Sequence, residues 1–211
     1  SGGGRVNYGL MPYFDEFWVS DNTDAQQRLF IQWGTSMFFP ACAMAQHVSA
    51  SPNHQTGRVI PLKFRFDVAM TGRLGMEMKP SDLTEKELAY AKNAVATYKE
   101  IRPIIQQGNQ YRILSPYDKT GYASELYITD DKSEAIFFSY KFEHYVNQFR
   151  PLFHFVLLDT NVPYTLTVIC VEGRTDHWEG RTFTGKFLMQ QGIEIALNGL
   201  FDSKVIRLKK Q

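Results

Sequence analysis

"FWVSDNTDAQQRLFIQWG", residues 17–34, is the stretch on which the reading of the whole chain turns. Five consecutive residues, Ser20 to Asp24, each carry a side-chain hydrogen-bonding group. They stand between the aromatic pair Phe17–Trp18 and a segment with helical periodicity. Two readings compete. In one, Ser20, Asp21 or Thr23 caps the helix N-terminus, where Ser, Thr and Asp are favoured and contribute about 1 kcal/mol. In the other, Asp21 is held in a loop for acid–base chemistry while Thr23 or Asp24 supplies the cap. In both readings the polar run leads directly into a helix.

The helix is predicted over residues 24–34. Leu29, Phe30 and Trp33 fall on one face, and Gly34 can terminate it. "MFFPACAMAQHVS" (37–49) reads as a buried element broken by Pro40, and "SASPNHQTGR" (49–58) as a polar loop rich in turn formers. "IPLKFRFDVAM" (60–70) alternates enough to suggest a strand, interrupted by "TGRLG" (71–75). A second helix begins at Thr84, which forms a Thr-x-x-Glu capping box with Glu87. Leu88, Ala91, Val95, Tyr98 and Ile101 mark its apolar stripe. Pro103 is expected to end or kink it, with Gly108 just beyond.

After Gly108 the texture changes. "YRILS", "SELYITD", "EAIFFSY", "LFHFVLL", "YTLTVICV", "TFTGKFLM" and "KVIRLK" are short β-rich runs separated by turn residues. Runs recurring at roughly 8–12 residues suggest an antiparallel sandwich or barrel. The boundary falls near Gly108 to Ser115, giving an α/β part over 1–110 and an all-β part over 111–211.

Composition narrows the function. The chain of 211 residues has 23 basic and 22 acidic side chains, a formal charge of +1, so it carries no electrostatic footprint for nucleic acid and no polybasic membrane arm. No run approaches the roughly 18 apolar residues of a bilayer span. "SGGGRVNYGL" at the start lacks the apolar core of a signal peptide. Cys42 and Cys170 sit far apart in apolar contexts and read as buried free thiols. The five histidines show no His-x-x-x-His spacing, which argues against a metal site.

"SGGGR" (1–5), "FWVSDNTD" (17–24) and "SASPNHQTGR" (49–58), in this order, closely resemble consecutive motifs of the melibiase family, the glycoside hydrolase family 36 α-galactosidases. "DVAMTGRLGMEM", "YKEIRPIIQQGNQYRILSP" and "GIEIALNGLFDSKVIRL" extend the resemblance over essentially the whole chain. It implies a fold in two parts: the C-terminal portion of a catalytic (β/α)8 barrel in 1–110, then an antiparallel β-sandwich in 111–211. The implied activity is a retaining α-galactosidase acting on oligosaccharides such as melibiose and raffinose, with no cofactor and no metal. The family often forms tetramers, so a homo-oligomer is implied as well; the compartment stays open.

By this resemblance the acid/base is the first Asp of Ser-Asp-x-Thr-Asp, here Asp21. Phe17 and Trp18 are placed to supply an apolar wall beside it. The family's sugar-contacting Cys-x-x-Gly-Gly segment maps its glycines onto Gly2 and Gly3, while its cysteine and the Lys-Trp-Asp nucleophile are expected to precede Ser1. Read alone, Gly2 to Gly4 could equally be a flexible linker; with Arg5 behind them they suit close backbone approach to a sugar. Arg5 either contacts substrate or pairs with a barrel carboxylate. The "PNHQ" loop reaches the site or another subunit, or is an ordinary surface turn. Trp33, Phe38 and Phe39 are expected in the core. Two alternatives accompany this reading: an α-N-acetylgalactosaminidase, and a non-catalytic carbohydrate-binding or structural piece. For a binding module, "HWEGR" around Trp178 is the one candidate aromatic platform.

Overall fold

The computed structural model describes residues 7–146, 148–169 and 176–211. The chain divides into two compact units, Ser1–Gln106 and Gln107–Gln211.

The first unit alternates strand and helix: β1 (Phe17–Trp18), α1 (Ala25–Thr35), β2 (Met44–Ser49), α2 (Leu62–Ala69), β3 (Arg73–Glu77) and α3 (Glu85–Gln107), whose last residue lies past the unit boundary. The three strands pair in parallel in the order β1-β2-β3. Helices α1 and α2 are tied to one face of this sheet by a polar relay. Gln32 Nε2 donates to Val68 O (3.0 Å) and Thr71 Oγ1 (2.9 Å), and Thr71 Oγ1 donates to Gln46 Oε1 (2.8 Å). Gln46 thus marks the helix side. The register pairs Trp18 with Ala45, His47 with Gly75 and Ser49 with Glu77, so Trp18, His47 and Glu77 share the opposite face.

Four local expectations need correction here. Residues 62–69 form helix α2, not a strand. All eight are buried, polar and apolar alike, because the polar ones find partners: Lys63 pairs with Asp67 one turn on, and Arg65 donates to Ile60 O (3.0 Å) and Ser49 O (2.5 Å). The alternation therefore carried no in–out signal. "TGRLG" does not interrupt a strand but begins β3. Its glycines are there for space, since a Cβ at Gly75 would lie 2.3 Å from His47 Cδ2 and one at Gly72 2.6 Å from Gln46 Nε2. Gly34 lies inside α1, which ends at Thr35 with Ser36 as its C-cap. Pro103 does not stop α3. It sits on the exposed face, where the carbonyl freed by its missing N–H can meet water, while Ile101, Ile104 and Ile105 bury the last turns. The capping box is present: Glu87 N donates to Thr84 Oγ1 (3.3 Å) and Thr84 N to Glu87 Oε2 (2.9 Å).

The second unit adds β4 (Asn109–Leu114), β5 (Tyr122–Ile128), β6 (Glu134–Lys141), β7 (Leu152–Phe153), β8 (Pro163–Ile169), β9 (Thr182–Thr184), α4 (Gly185–Gln190), β10 (Ile193–Glu194) and β11 (Asp202–Lys210). Six strands make one antiparallel sheet, β4-β5-β6-β11-β8-β9, and β7 pairs with β10 in a short ribbon. One face of the large sheet contributes Leu126, Phe137, Leu166 and Ile206 to a core closed by Phe153, Phe155, Trp178, Leu188 and Ile195. Phe137 packs its ring against Phe153 (5.9 Å) and Phe155 (4.6 Å). Two predicted runs are shortened. "LFHFVLL" is a strand only at Leu152–Phe153, and "TFTGKFLM" turns into α4 after three residues because Thr184 caps it, accepting from Phe187 N at 3.3 Å.

Candidate active site

β1 ends at Trp18, and three residues later Asp21 stands exposed at the carboxyl end of the parallel sheet. The polar run after it is ordered by its own side chains. Asn22 N donates to Ser20 Oγ (3.1 Å), Asp24 N to Asn22 Oδ1 (3.1 Å), and Gln27 N to Asp24 Oδ1 (3.0 Å). The cap of α1 is therefore Asp24. Asp21 caps nothing, and its carboxylate makes no hydrogen bond among the described residues. The capping reading of Ser20, Asp21 or Thr23 is set aside by this geometry.

The "PNHQTGR" loop is not an ordinary surface turn. Gln55 Nε2 donates to Asp21 O (3.1 Å), Thr56 Oγ1 to Asp24 Oδ2 (2.6 Å), and Arg58 Nη1 lies 2.6 Å from Asp24 Oδ1. Asn53, buried, is the pivot: its Oδ1 accepts from Gln55 N (3.0 Å) and Thr56 N (3.1 Å). Ser49 Oγ, at the end of β2, donates to Thr23 O (2.9 Å). Two loops that follow neighbouring strands are thus bolted together around Asp24.

Trp18 meets two side chains, His47 and Arg28, that the sequence does not single out. It packs against His47 (ring centroids 4.2 Å apart, planes tilted by 52°) and carries the Arg28 guanidinium 4.8 Å from its ring centroid. Burial pulls Arg28 down to about 10, against the charges of Glu77 and Asp21. Burial also lowers His47, with Glu77 opposing and the Arg28 cation adding to the effect. Phe17 packs edge-on against Phe39, and Phe38, expected in the core, is 66 % exposed. Arg28 falls outside the apolar positions Leu29, Phe30 and Trp33 read from the sequence, and nothing local distinguishes a buried arginine from a solvated one.

Gly2, Gly3 and Arg5 lie outside the described residues, as does Cys170; Cys42 is half-buried and free. Trp178 is fully buried, and its Nε1 donates to Glu194 O (2.8 Å), so it is core and offers no platform to a sugar.

Residues 1–108 match the Melibiase family model, and residues 122–208 match the glycosyl hydrolase family 36 C-terminal domain. The two matches together define a segment of glycoside hydrolase type. The chain belongs to the melibiase family. It is 38% identical over 212 residues to a probable α-galactosidase C of Aspergillus flavus, covering 100% of this chain and 27% of that protein. To the α-galactosidase AgaA of Geobacillus stearothermophilus it is 43% identical over 174 residues, 82% of this chain and 24% of that protein. A crystal structure of an AgaA variant in complex with raffinose superposes with a TM-score of 0.88 at 37% identity, covering 100% of this chain and 28% of that one. The chain thus spans about a quarter of the length of the relatives it matches.

Proposed function

We propose that these residues form the end of the catalytic (β/α)8 barrel, over 1–110, and the C-terminal β-sandwich, over 111–211, of a retaining α-galactosidase. Its substrates are oligosaccharides with terminal α-linked galactose, such as melibiose and raffinose. One observation carries the reading: Asp21 stands at the carboxyl end of a parallel strand with its backbone held and its carboxylate unengaged, in a chain of the melibiase family. The names of the relatives, all α-galactosidases, support galactose as the sugar.

In the mechanism, Asp21 donates its proton to the glycosidic oxygen as a second carboxylate attacks the anomeric carbon. The sugar–oxygen bond breaks and a glycosyl-enzyme forms. Asp21, now ionised, takes a proton from the water that attacks the same carbon and frees the nucleophile. Contacts of Gly2, Gly3 and Arg5 with the galactose belong to the same reading and rest on the motif. A homo-oligomer, in this family often a tetramer, is also part of it and is open to light scattering.

The test is Asp21→Ala in the gene product that carries these residues. kcat/KM on raffinose, which reports the step that protonates the leaving group, should fall by about 10²–10⁴, while kcat/KM on a dinitrophenyl α-galactoside, whose leaving group needs no proton, should lose far less. Equal losses of kcat/KM on both substrates would remove Asp21 from the acid/base role.

A further inference from the structure

Arg28 is the least expected side chain in the first unit. It sits one turn into α1, and 1 % of it is exposed. Its Nη2 donates to Ser20 O at 2.9 Å, while Nε and Nη1, both buried, have no hydrogen-bond partner among the described residues. It forms no ion pair there either, although the charges of Glu77 and Asp21 act on it. A desolvated cation with unmet donors weakens a fold relative to an apolar side chain of similar volume. Stability is therefore a poor reason for an arginine here.

Besides resting on the Trp18 ring, Arg28 holds a single carbonyl, and its position matters. Ser20 O belongs to the peptide group preceding the Asp21 Cα. The peptide group following it, through Asp21 O, is held by Gln55 Nε2 at 3.1 Å. The two holds come from different elements, α1 and the loop after β2. Gln55 is itself anchored through Asn53 Oδ1 to a loop locked onto Asp24. Because each peptide group is planar, fixing the two planes that flank one Cα fixes its φ and ψ and therefore the direction of its Cα–Cβ bond. Both of these ties end on backbone; the Asp21 carboxylate makes no hydrogen bond among the described residues.

We propose that Arg28 and Gln55 are a pair of positioning residues that aim the Asp21 carboxyl, the first retained at the expense of stability. This rests on the acid/base reading of Asp21. Neither side chain touches the reacting atoms in this account. Both act through the Asp21 backbone, and a misplacement of about 1 Å in a proton donor is enough to cost roughly 10²-fold.

The experiment compares Arg28→Met and Gln55→Ala with Asp21→Ala in the gene product carrying these residues. It measures kcat and KM on raffinose and on a dinitrophenyl α-galactoside, together with thermal midpoints. Positioning predicts that both variants lose about 10- to 100-fold in kcat/KM on raffinose, with kcat/KM on the activated substrate largely spared. Arg28→Met should melt at the same temperature or higher. Equal losses of kcat/KM on both substrates overturn the proposal, and so does an Arg28→Met protein that melts earlier or fails to fold, since the arginine is then structural. If Asp21→Ala is leaving-group selective and the two variants are not, positioning alone falls. If Asp21→Ala is itself unselective, the acid/base reading falls first.

Discussion

Arg58 Nη1 lies 2.6 Å from Asp24 Oδ1, and this contact joins the loop after β2 to the cap of α1. Asp24 is fully buried. Burial pushes its carboxyl up, but hydrogen bonds from Thr56, Arg58 and the Gln27 backbone, with the Arg58 charge, outweigh that and hold it below its ordinary value of 3.8. A depressed carboxyl stabilises the fold fully above the unfolded value and loses that contribution as pH falls through the folded one. Asp24→Asn should therefore cost about 2 kcal/mol near neutral pH and flatten the loss of stability below about pH 4. Thermal melts across that range check both parts; an unchanged acid slope in the variant would clear Asp24 of the role.

Glu125 in β5 titrates the other way. Burial pushes its carboxyl up to about 7, against hydrogen bonds from Gln110 (2.7 Å) and Tyr127 (3.1 Å) and the charge of Arg112. Between the ordinary 4.5 and about 7 the folded chain holds a proton that the unfolded chain has released. Stability accordingly falls as pH rises through that window. Glu125→Gln keeps the neutral form's shape and should remove this decline, so that the variant gains on the parent above about pH 7 and matches it below about 4.5. Denaturant titrations at the two ends of the window decide the matter.

Gly192 and Gly180 form a controlled pair. Both have left-handed backbones, with φ of 70° and 72°. A Cβ at Gly192 would stand 2.7 Å from Phe153 O, whereas one at Gly180 meets nothing within 4 Å. Gly180→Ala should cost only the backbone term of roughly 1–2 kcal/mol, and Gly192→Ala distinctly more. Equal costs in chemical denaturation would mean that the β7–β10 ribbon yields to make room.

Trp178→Ala should destabilise the second unit by about 3–5 kcal/mol through cavity formation and the lost bond to Glu194 O. The same buried environment predicts that the second unit, expressed by itself and titrated calorimetrically with galactose or melibiose, binds neither above background. A clear binding isotherm would revive a carbohydrate-binding role for this unit.

The 211 residues alone are expected to show no α-galactosidase activity. A closed barrel of this type needs eight parallel strands, and the described residues supply three, with β1 and β3 as unpaired edges among them. Such edges invite association, so aggregation should accompany the inactivity. Hydrolysis of a nitrophenyl α-galactoside by this chain would contradict the expectation, because Asp21 would then have a nucleophile within it.

The sequence by itself determined the features whose causes are local or carried by a motif. Thr84 and Glu87 cap α3 because their spacing closes a hydrogen-bonded box within one turn. The β texture after Gly108 follows from short-range alternation and turn residues. Ser20 to Asp24 point to Asp21 through resemblance, not through any physical signal of their own. Tertiary structure decided everything that depends on partners distant in the chain. Residues 62–69 are a helix because Arg65 finds Ser49 O and Ile60 O, which lets a period-two pattern be buried on all sides. Residues 73–77 are a strand because Gly75 makes room for His47. Asp24, not its neighbours, became the cap because Thr56 and Arg58, more than thirty residues on, make its burial tolerable. Arg28 carries no mark of its own in the sequence. Only folding puts it over Trp18 and under Ser20, since desolvation belongs to a place in space and not to a position in a sequence.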